Sequence, residues 1–264
     1  MVLKFFLFTV AFLFVSCTVA ERNNPYDPDS PNWFGNSSSS AESVPGSSSS
    51  KPSSSSVASV VSSSSSVPVQ AGIIYGKSVD YQGETYQTVL IGSQTWFKRN
   101  LNYAVEGSRC YDNDPANCET YGRLYTWIAA MALPSNCESN ECFSQISDKH
   151  KGICPSGWHI PSKAEWAALG KFAGGGIKLK ADNGWNSYQG KPGTGTDDYG
   201  FSALPSGCDN SSTNRAVGYH GLWWSSNEND INKTIGLVMS YNSERLSETN
   251  ADKTLVFSIR CVKD

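Results

Sequence analysis

The chain has 264 residues with 21 basic and 24 acidic side chains, so its formal net charge is only -3. This balance excludes recruitment of nucleic acid by bulk charge, and we expect no nucleic-acid partner. Charged residues make up 17% and aromatic residues 12% of the chain, a composition more typical of an extracellular protein than of a cytosolic helical one.

The start of the chain predicts a signal peptide, residues 1–20, and therefore export. Lys4 precedes an almost unbroken apolar run at residues 5–15, which is too short to span a bilayer and matches the apolar region of a signal peptide. Two cleavage sites fit. We favour cleavage before Cys17, which follows a sequence similar to a bacterial lipobox and would carry the acyl chains of a membrane-anchored lipoprotein. Cleavage after Ala20 would instead yield a secreted protein.

Residues 21–70 predict a disordered, flexible tether. Serine makes up most of residues 37–66, and such a segment buries too little apolar surface to offset the entropy lost on ordering. A flexible segment of about 35 residues has a root-mean-square reach of roughly 30–35 Å. One folded domain then remains, residues 71–264, which is long enough to build a hydrophobic core.

The cysteines predict a disulfide-bonded domain. An exported domain with clustered cysteines favours disulfide bonds over zinc, because the chain has no C-x-x-C pairs and its three histidines are scattered. The spacing leaves Cys208 over, and we expect it to be a buried, inert thiol rather than a reactive nucleophile. The spacing predicts three bonds: Cys110 with Cys118, Cys137 with Cys142, and Cys154 with Cys261.

The first half of the domain predicts a hairpin followed by a helix. Residues 83–92 are rich in β-forming side chains and bounded by glycines, and the pattern resumes at residues 94–97, which is typical of a hairpin. Residues 121–133 place apolar side chains at helical spacing, with Trp127 directed into the core.

The second half predicts a capped helix and three strands. Ser162 and Glu165 form a capping box at the start of a helix, on which Trp166, Leu169 and Phe172 line one face. Further strands are predicted at residues 222–226, 234–241 and 255–262. A strand hairpin, two helices, long loops and terminal strands together indicate an α+β fold with an antiparallel sheet.

Six stretches of the domain share their order and spacing with a known family. They read YQTVLIG, QTW and NLN within residues 86–102, YGRLYTW at 121–127, CPSGWHIPS at 154–162, GFSALP at 200–205, WWSS at 223–226 and SIRCV at 258–262. Together they resemble the Fibrobacter succinogenes major paralogous domain over residues 71–264. The resemblance implies a C-type-lectin-like fold, shared distantly with formylglycine-generating enzymes, in proteins that are exported and often lipidated. It implies no particular activity.

A lectin-like fold raises the question of a calcium-bound sugar site. Asn227, Glu228 and Asp230 follow the tryptophan-containing strand and offer oxygen ligands of the kind that calcium prefers. The Glu-Pro-Asn or Gln-Pro-Asp loop of calcium-dependent lectins is absent, however, and a solvated polar loop is the favoured interpretation. Asp197 and Asp198 form a second oxygen-rich loop with the same interpretation, so we expect no cofactor.

Aromatic side chains offer a calcium-free way to bind a sugar, because a pyranose ring stacks its C–H face on an aromatic ring. Trp223 and Trp224 are adjacent and should point to opposite faces of their strand, so at least one of them should be exposed. Trp158 and Trp166 are assigned to the core. The candidate platform residues are Trp185, Tyr188, Tyr199, Tyr219, Trp223 and Trp224.

We expect no catalysis. The oxidase chemistry of formylglycine-generating relatives needs two nearby reactive cysteines late in the domain, and here only Cys208 and Cys261 occur there. His159 or His220 could serve as a base and Ser206 or Cys208 as a nucleophile, but no motif places them together.

The sequence therefore predicts a monomeric, non-catalytic binding module, displayed at the cell surface on a flexible tether, for polysaccharide or another envelope component. A structural envelope lipoprotein without a small ligand is the alternative, and an enzyme of unrecognised type is the third hypothesis. An exposed aromatic patch would favour the binding module, whereas buried aromatic residues would favour the structural role.

Overall fold

The computed structural model describes residues 72–208 and 217–264. The predicted signal peptide with its lipidation site at Cys17 and the predicted tether at residues 21–70 lie outside the described residues. Within the described ranges, no helix combines the length and the apolar character needed to cross a membrane.

A five-stranded antiparallel sheet joins both ends of the described domain. The predicted hairpin is confirmed, and its turn contains Gly92 at a φ of 61°, a left-handed value that suits glycine. The first strand was not predicted, because its side chains are exposed or half-buried and show no alternation. In sheet order the strands are β1 (Ile74–Tyr81), β2 (Glu84–Ile91), β3 (Gln94–Phe97), β11 (Val262–Lys263) and β6 (Trp158–His159).

Two three-stranded antiparallel sheets complete the β structure. One consists of β10 (Val256–Phe257), β5 (Leu124–Thr126) and β4 (Ser108–Arg109), in that order. The other consists of β7 (His220–Glu228), β8 (Lys233–Ser240) and β9 (Ser247–Asp252).

The predicted strands at residues 222–226 and 234–241 are confirmed within β7 and β8. The strand predicted at residues 255–262 is divided into β10 and β11, because the chain there leaves one sheet and enters another.

The described residues form three α-helices: α1 (Pro115–Tyr121), α2 (Trp127–Met131) and α3 (Lys163–Ala173). Of these, α2 and α3 pack against the sheets. The helix predicted at residues 121–133 is wrong in its first half, because β5 pairs with β4 and β10 and only the second half is helical. Trp127 lies in the core, as predicted. Short 3-10 turns occur at Tyr111–Asn113, Ser135–Glu138 and Phe143–Gln145.

The helix α3 begins with the predicted capping box. The Glu165 N–H donates to the Ser162 hydroxyl, and the Glu165 carboxylate accepts from the Ser162 N–H at 2.8 Å. Trp166 and Leu169 are buried against β2, β7 and β8, whereas Phe172 is 54% exposed and lies over Gly92 at the surface. Of the three side chains predicted to line one face of this helix, Phe172 is therefore the exposed one. The α+β class is confirmed.

The three predicted disulfide bonds are present, between Cys110 and Cys118, Cys137 and Cys142, and Cys154 and Cys261. The last of them joins the chain just before β6 to the residue preceding β11. Cys208 is buried, as predicted, but it is disulfide-bonded, so the prediction of a free thiol is wrong. Spacing identifies cysteines that are close in the chain, and it carries no information on the bonding of the one left over.

Candidate functional site

The adjacent tryptophans of β7 are both in the core, each with 0% exposure. Trp223 packs against Trp166 and donates its indole N–H to Asn100 Oδ1 at 2.9 Å. Trp224 stacks on Phe257, with ring centroids 4.0 Å apart, and donates to the Tyr125 carbonyl at 2.7 Å. Their side chains point to opposite faces of β7, as predicted, but on each face the tryptophan is buried in a separate hydrophobic cluster. The prediction that one of them is exposed is therefore wrong.

Of two other candidate platform residues, one is buried and one is half-buried. Trp185 is 6% exposed and donates its indole N–H to the Ala203 carbonyl at 3.0 Å. Tyr199 is half-buried and packs against Phe172 of α3, with ring centroids 5.5 Å apart. The prediction that Trp185 belongs to a surface platform is wrong, because its ring fills the core under the loops that follow α3.

The remaining two candidates form a surface cluster with a third tyrosine. Tyr188 and Tyr219 are each 40% exposed, and both pack edge-on against Tyr241, with centroid distances of 5.5 and 4.9 Å. We call these three residues the tyrosine surface. Sequence reasoning missed Tyr241 because it closes the predicted strand at residues 234–241 and was counted as part of it. An aromatic residue at a strand end next to a loop was the available signal.

Backbone hydrogen bonds fix the position of each ring. The Tyr241 N–H donates to the Tyr219 carbonyl at 2.8 Å. Tyr188 and Lys191 exchange two backbone hydrogen bonds of 2.9 Å across the turn at Gln189 and Gly190, whose positive φ values of 49° and 77° are those of a tight type I′ turn. The three rings therefore lie on short, hydrogen-bonded segments rather than on a long open loop.

Close backbone packing under the tyrosine surface requires glycine. A Cβ at Gly193 would lie 2.0 Å from the Asn186 carbonyl and 2.7 Å from the Tyr241 carbonyl. Gly218 has a φ of 84°, and a Cβ there would meet the Asn186 side chain at 2.7 Å. These contacts press the segments that carry the three tyrosines against one another.

A buried lysine joins the same segments from below. Lys180 is 1% exposed and donates from Nζ to the carbonyls of Ser240 at 2.5 Å, Ser243 at 2.7 Å and Gly193 at 3.3 Å. Its Nζ also lies 4.6 Å from the centre of the Trp185 ring. Burial lowers the pKa of Lys180 to about 8, although the charge of Glu244 acts in the opposite direction.

Polar side chains border the tyrosine surface. Gln189 donates to the Tyr188 hydroxyl at 3.1 Å, and Asn186 and Lys191 are exposed beside it. His220 lies at the inner edge and contacts the Ser240 hydroxyl at 2.9 Å. Burial lowers the pKa of His220, and the charge of Lys180 lowers it further. The surface thus combines exposed aromatic rings with neutral and cationic hydrogen-bonding groups.

The calcium candidates do not converge on a cation site. Glu228 is not solvated: its carboxylate is buried, pairs with Lys253 Nζ at 2.5 Å and accepts from the Cys142 N–H at 2.8 Å. Asn227 Oδ1 accepts from the Lys163 N–H at the start of α3, and Asp230 Oδ1 accepts from two backbone N–H groups of its own turn. Each of these groups therefore already has a partner within the fold, and the favoured interpretation of a solvated polar loop is wrong for Glu228. Across residues 72–208 and 217–264, no group of three or more His, Cys, Asp or Glu side chains is arranged to hold a metal ion.

The second oxygen-rich loop is likewise engaged within the protein. The Asp197 carboxylate accepts from both the N–H and the hydroxyl of Ser202, at 2.7 and 2.6 Å. Burial raises the pKa of Asp197, while these hydrogen bonds and the charges of Lys98 and Arg260 oppose the rise.

A buried arginine that the sequence analysis did not single out lies close to this loop. Arg260 is 1% exposed, donates from Nε and Nη2 to Asn100 Oδ1 at 3.0 and 2.8 Å, and donates from Nη1 to the carbonyls of Lys98 and Phe201. Burial lowers its pKa, and the charge of Asp197 opposes the change. Arg260 therefore joins the segment between β10 and β11 to the segment after β3.

The residues considered for catalysis also have structural partners. His159 contacts Glu165 Oε1 at 2.8 Å and Asp264 Oδ1 at 2.7 Å, and the Ser206 hydroxyl is buried against the Ser258 hydroxyl at 2.9 Å. Burial alone would lower the pKa of His159, but hydrogen bonds to the two carboxylates outweigh it and raise the pKa.

Comparison with known proteins identifies one family. A family model described as the Fibrobacter succinogenes major domain matches residues 89–263. The match includes the three disulfide bonds between described cysteines and all three tyrosines of the tyrosine surface. No curated protein and no solved structure matches the chain.

Proposed function

The chain belongs to the Fibrobacter succinogenes major domain family, and we propose that its domain is a non-catalytic module that binds polysaccharide. The tyrosine surface carries this proposal. Tyr188 and Tyr219 are exposed and both pack against Tyr241, and each ring offers an apolar face for the C–H groups of a sugar and a hydroxyl for its polar groups.

The surroundings of the tyrosine surface suit a hydroxylated ligand. Asn186, Gln189 and Lys191 are exposed beside the rings and supply amide and ammonium groups for sugar hydroxyls. The edge-on contacts with Tyr241 and the hydrogen bonds of Lys180 hold the rings before a ligand arrives. A preformed aromatic surface loses little conformational entropy on binding, which favours affinity for a ligand that binds at a shallow surface.

We also propose that the protein is exported. Disulfide bonds persist in oxidising compartments outside the cytosol, and the described domain has three formed between its own cysteines. In this proposal the signal peptide ends before Cys17, lipid on Cys17 anchors the protein in the cell envelope, and the serine-rich tether separates the monomeric domain from the membrane. Cleavage after Ala20 and secretion is the alternative.

We propose in addition that the α+β fold is C-type-lectin-like. The support is the sheet in which β3, the last strand of the initial β1–β2–β3 meander, pairs directly with β11, so that the beginning and the end of the domain meet. The disulfide bond from Cys154 to Cys261 stabilises the same junction. A crystal structure whose strands failed to superpose on a C-type lectin would refute this assignment.

The binding proposal is tested with a panel of soluble and insoluble polysaccharides, with and without calcium. The double variant Tyr188→Ala, Tyr219→Ala removes both exposed rings, and we expect it to lose saturable binding while remaining folded. Tyr75→Ala is the matched control, because Tyr75 is 56% exposed on β1 and lies outside the tyrosine surface; it should bind like the wild type.

Two results would contradict the proposal: undiminished binding by the folded double variant, or no binding across the panel. The second would favour a structural envelope lipoprotein without a small ligand. The burial of Trp185, Trp223 and Trp224 already favours that alternative, since half of the candidate platform residues serve the core.

A further inference from the structure

A cleft of about 480 Å³ opens beside the disulfide bond between Cys110 and Cys118. Its volume lies in the range of small-molecule sites, roughly 300–1,000 Å³. It is bordered by β4, by α1 and by the residue that precedes β5. The polar side chains that line it are Asn102, Ser108, Arg109, Asn113, Glu119 and Arg123.

Arg123 is held in one orientation at this cleft. Its Nε donates to the Ser108 hydroxyl at 3.1 Å, and its Nη1 lies 3.7 Å from both sulfur atoms of the disulfide bond. Within the described ranges, no acidic side chain forms an ion pair with Arg123, and its Nη2 has no hydrogen-bond partner there. A guanidinium group fixed by neutral neighbours retains its full charge for a ligand.

The other lining groups indicate what the ligand carries. Arg123 offers one guanidinium group without an ion-pair partner among the described residues, which suits a single carboxylate better than a doubly charged phosphate. Asn102 donates from Nδ2 to Glu84 at 3.0 Å, which fixes the direction of its amide oxygen as an acceptor for a hydroxyl group. Asn113 adds a second, exposed amide.

We propose that this cleft binds the carboxylate of an acidic sugar, a uronic acid residue, with Arg123 as the residue that contacts the carboxylate. The side-chain amides of Asn102 and Asn113 contact the sugar hydroxyls, whereas the Ser108 hydroxyl is fully engaged with Val105 and Arg123. The cleft is separate from the tyrosine surface, and this inference does not rest on the binding of neutral polysaccharide there.

The test is titration of the full exported protein with oligomers of galacturonic and glucuronic acid, followed by calorimetry. Wild-type protein should bind at least one acidic oligomer and bind its neutral counterpart, the galactose or glucose oligomer, at least about tenfold more weakly, the loss expected for a charged hydrogen bond. Arg123→Gln should lose a similar factor. Lys171→Gln removes one positive charge from the exposed face of α3, and it should bind like the wild type.

The titrations of wild-type protein test the proposal even if Arg123→Gln fails to fold. Equal binding of the acidic oligomers and their methyl esters, or no binding of any acidic oligomer, would overturn it. If acetate bound as tightly as a uronic acid, the claim that the cleft recognises a sugar would be overturned, and the cleft would be a general carboxylate site. The Tyr188→Ala, Tyr219→Ala variant should keep its binding of acidic oligomers, so failure at one site is distinguishable from failure at the other.

Discussion

Two loop regions of this domain are each held by a buried lysine, but only one of these lysines has a carboxylate partner. Lys253 donates to the carbonyls of Cys137, Asn140 and Ile231, at 2.8 to 3.0 Å, and also pairs with the buried carboxylate of Glu228. Lys180 donates to three carbonyls beneath the tyrosine surface, and its Nζ forms no ion pair with a described acidic residue.

The difference concerns how each region is stabilised. Around Lys253, the positive charge is compensated by Glu228, and the disulfide bond between Cys137 and Cys142 adds a covalent constraint. Around Lys180, carbonyl dipoles and the face of Trp185 must solvate the charge, which is why burial lowers its pKa to about 8. The region that carries the tyrosine surface is therefore the one with the less compensated charge.

The largest expected effect comes from removing Lys253. Lys253→Met leaves the Glu228 carboxylate buried without its counter-charge, and we expect the free energy of unfolding to fall by about 3–5 kcal/mol, as for other broken buried pairs. Denaturant unfolding followed by tryptophan fluorescence measures the change. The double variant Lys253→Met, Glu228→Gln removes the stranded charge and should recover part of the loss. A double variant as unstable as the sum of both single variants would show that the two side chains are not coupled.

The burial of such charged side chains is a feature that the sequence alone did not predict. The capping box of Ser162 and Glu165 and the hairpin at Gly92 were predictable because their signals are local. The burial of Lys180, Lys253 and Arg260 was not, because a charged residue in a turn-rich segment is normally solvated and only distant carbonyl groups make its burial favourable.

The two main errors of the sequence-based prediction, one in secondary structure and one in exposure, both have tertiary causes. Residues 124–126 fit a helical apolar pattern, but pairing with Val256 and Phe257, far along the chain, makes them a strand. Trp223 and Trp224 point to opposite faces of β7, as predicted, but other parts of the chain pack on both faces. The sequence of β7 itself does not show that both faces are buried. For the candidate site, Tyr188 and Tyr219 were identifiable as aromatic residues in the loop-rich half, whereas their grouping with Tyr241 depends on the sheet.

Removing Lys180 should have a smaller effect than removing Lys253. Lys180→Met leaves three carbonyls without a donor but strands no opposite charge, so we expect a loss of about 1–3 kcal/mol in the free energy of unfolding. Hydrogen exchange of the Tyr241 and Lys191 amides should accelerate, because their segments lose the common donor. Lys178→Met is the matched control: Lys178 is half-exposed, lies 3.8 Å from Asp198, and should change stability by less than about 0.5 kcal/mol. If Lys180→Met cost as much as Lys253→Met, the carboxylate would not explain the difference between the two regions.

The smallest expected effect is a dependence of stability on pH that Lys180 alone introduces. The folded-state pKa is about 8, below the ordinary value of 10.5, because burial disfavours the charged ammonium. Between these two pH values the unfolded chain binds more protons than the folded one, so the contribution of Lys180 to the free energy of unfolding rises with pH. We expect a rise of about 1 kcal/mol between pH 7 and pH 9, measured as the difference between wild type and Lys180→Met, which cancels the titration of other groups. Burial lowers the pKa of the nearby His220 from its ordinary value of 6.5, so it titrates below this window. A difference that stayed flat, or that fell with pH, would mean that Lys180 keeps its charge in the fold and that its carbonyl partners compensate it as fully as Glu228 compensates Lys253.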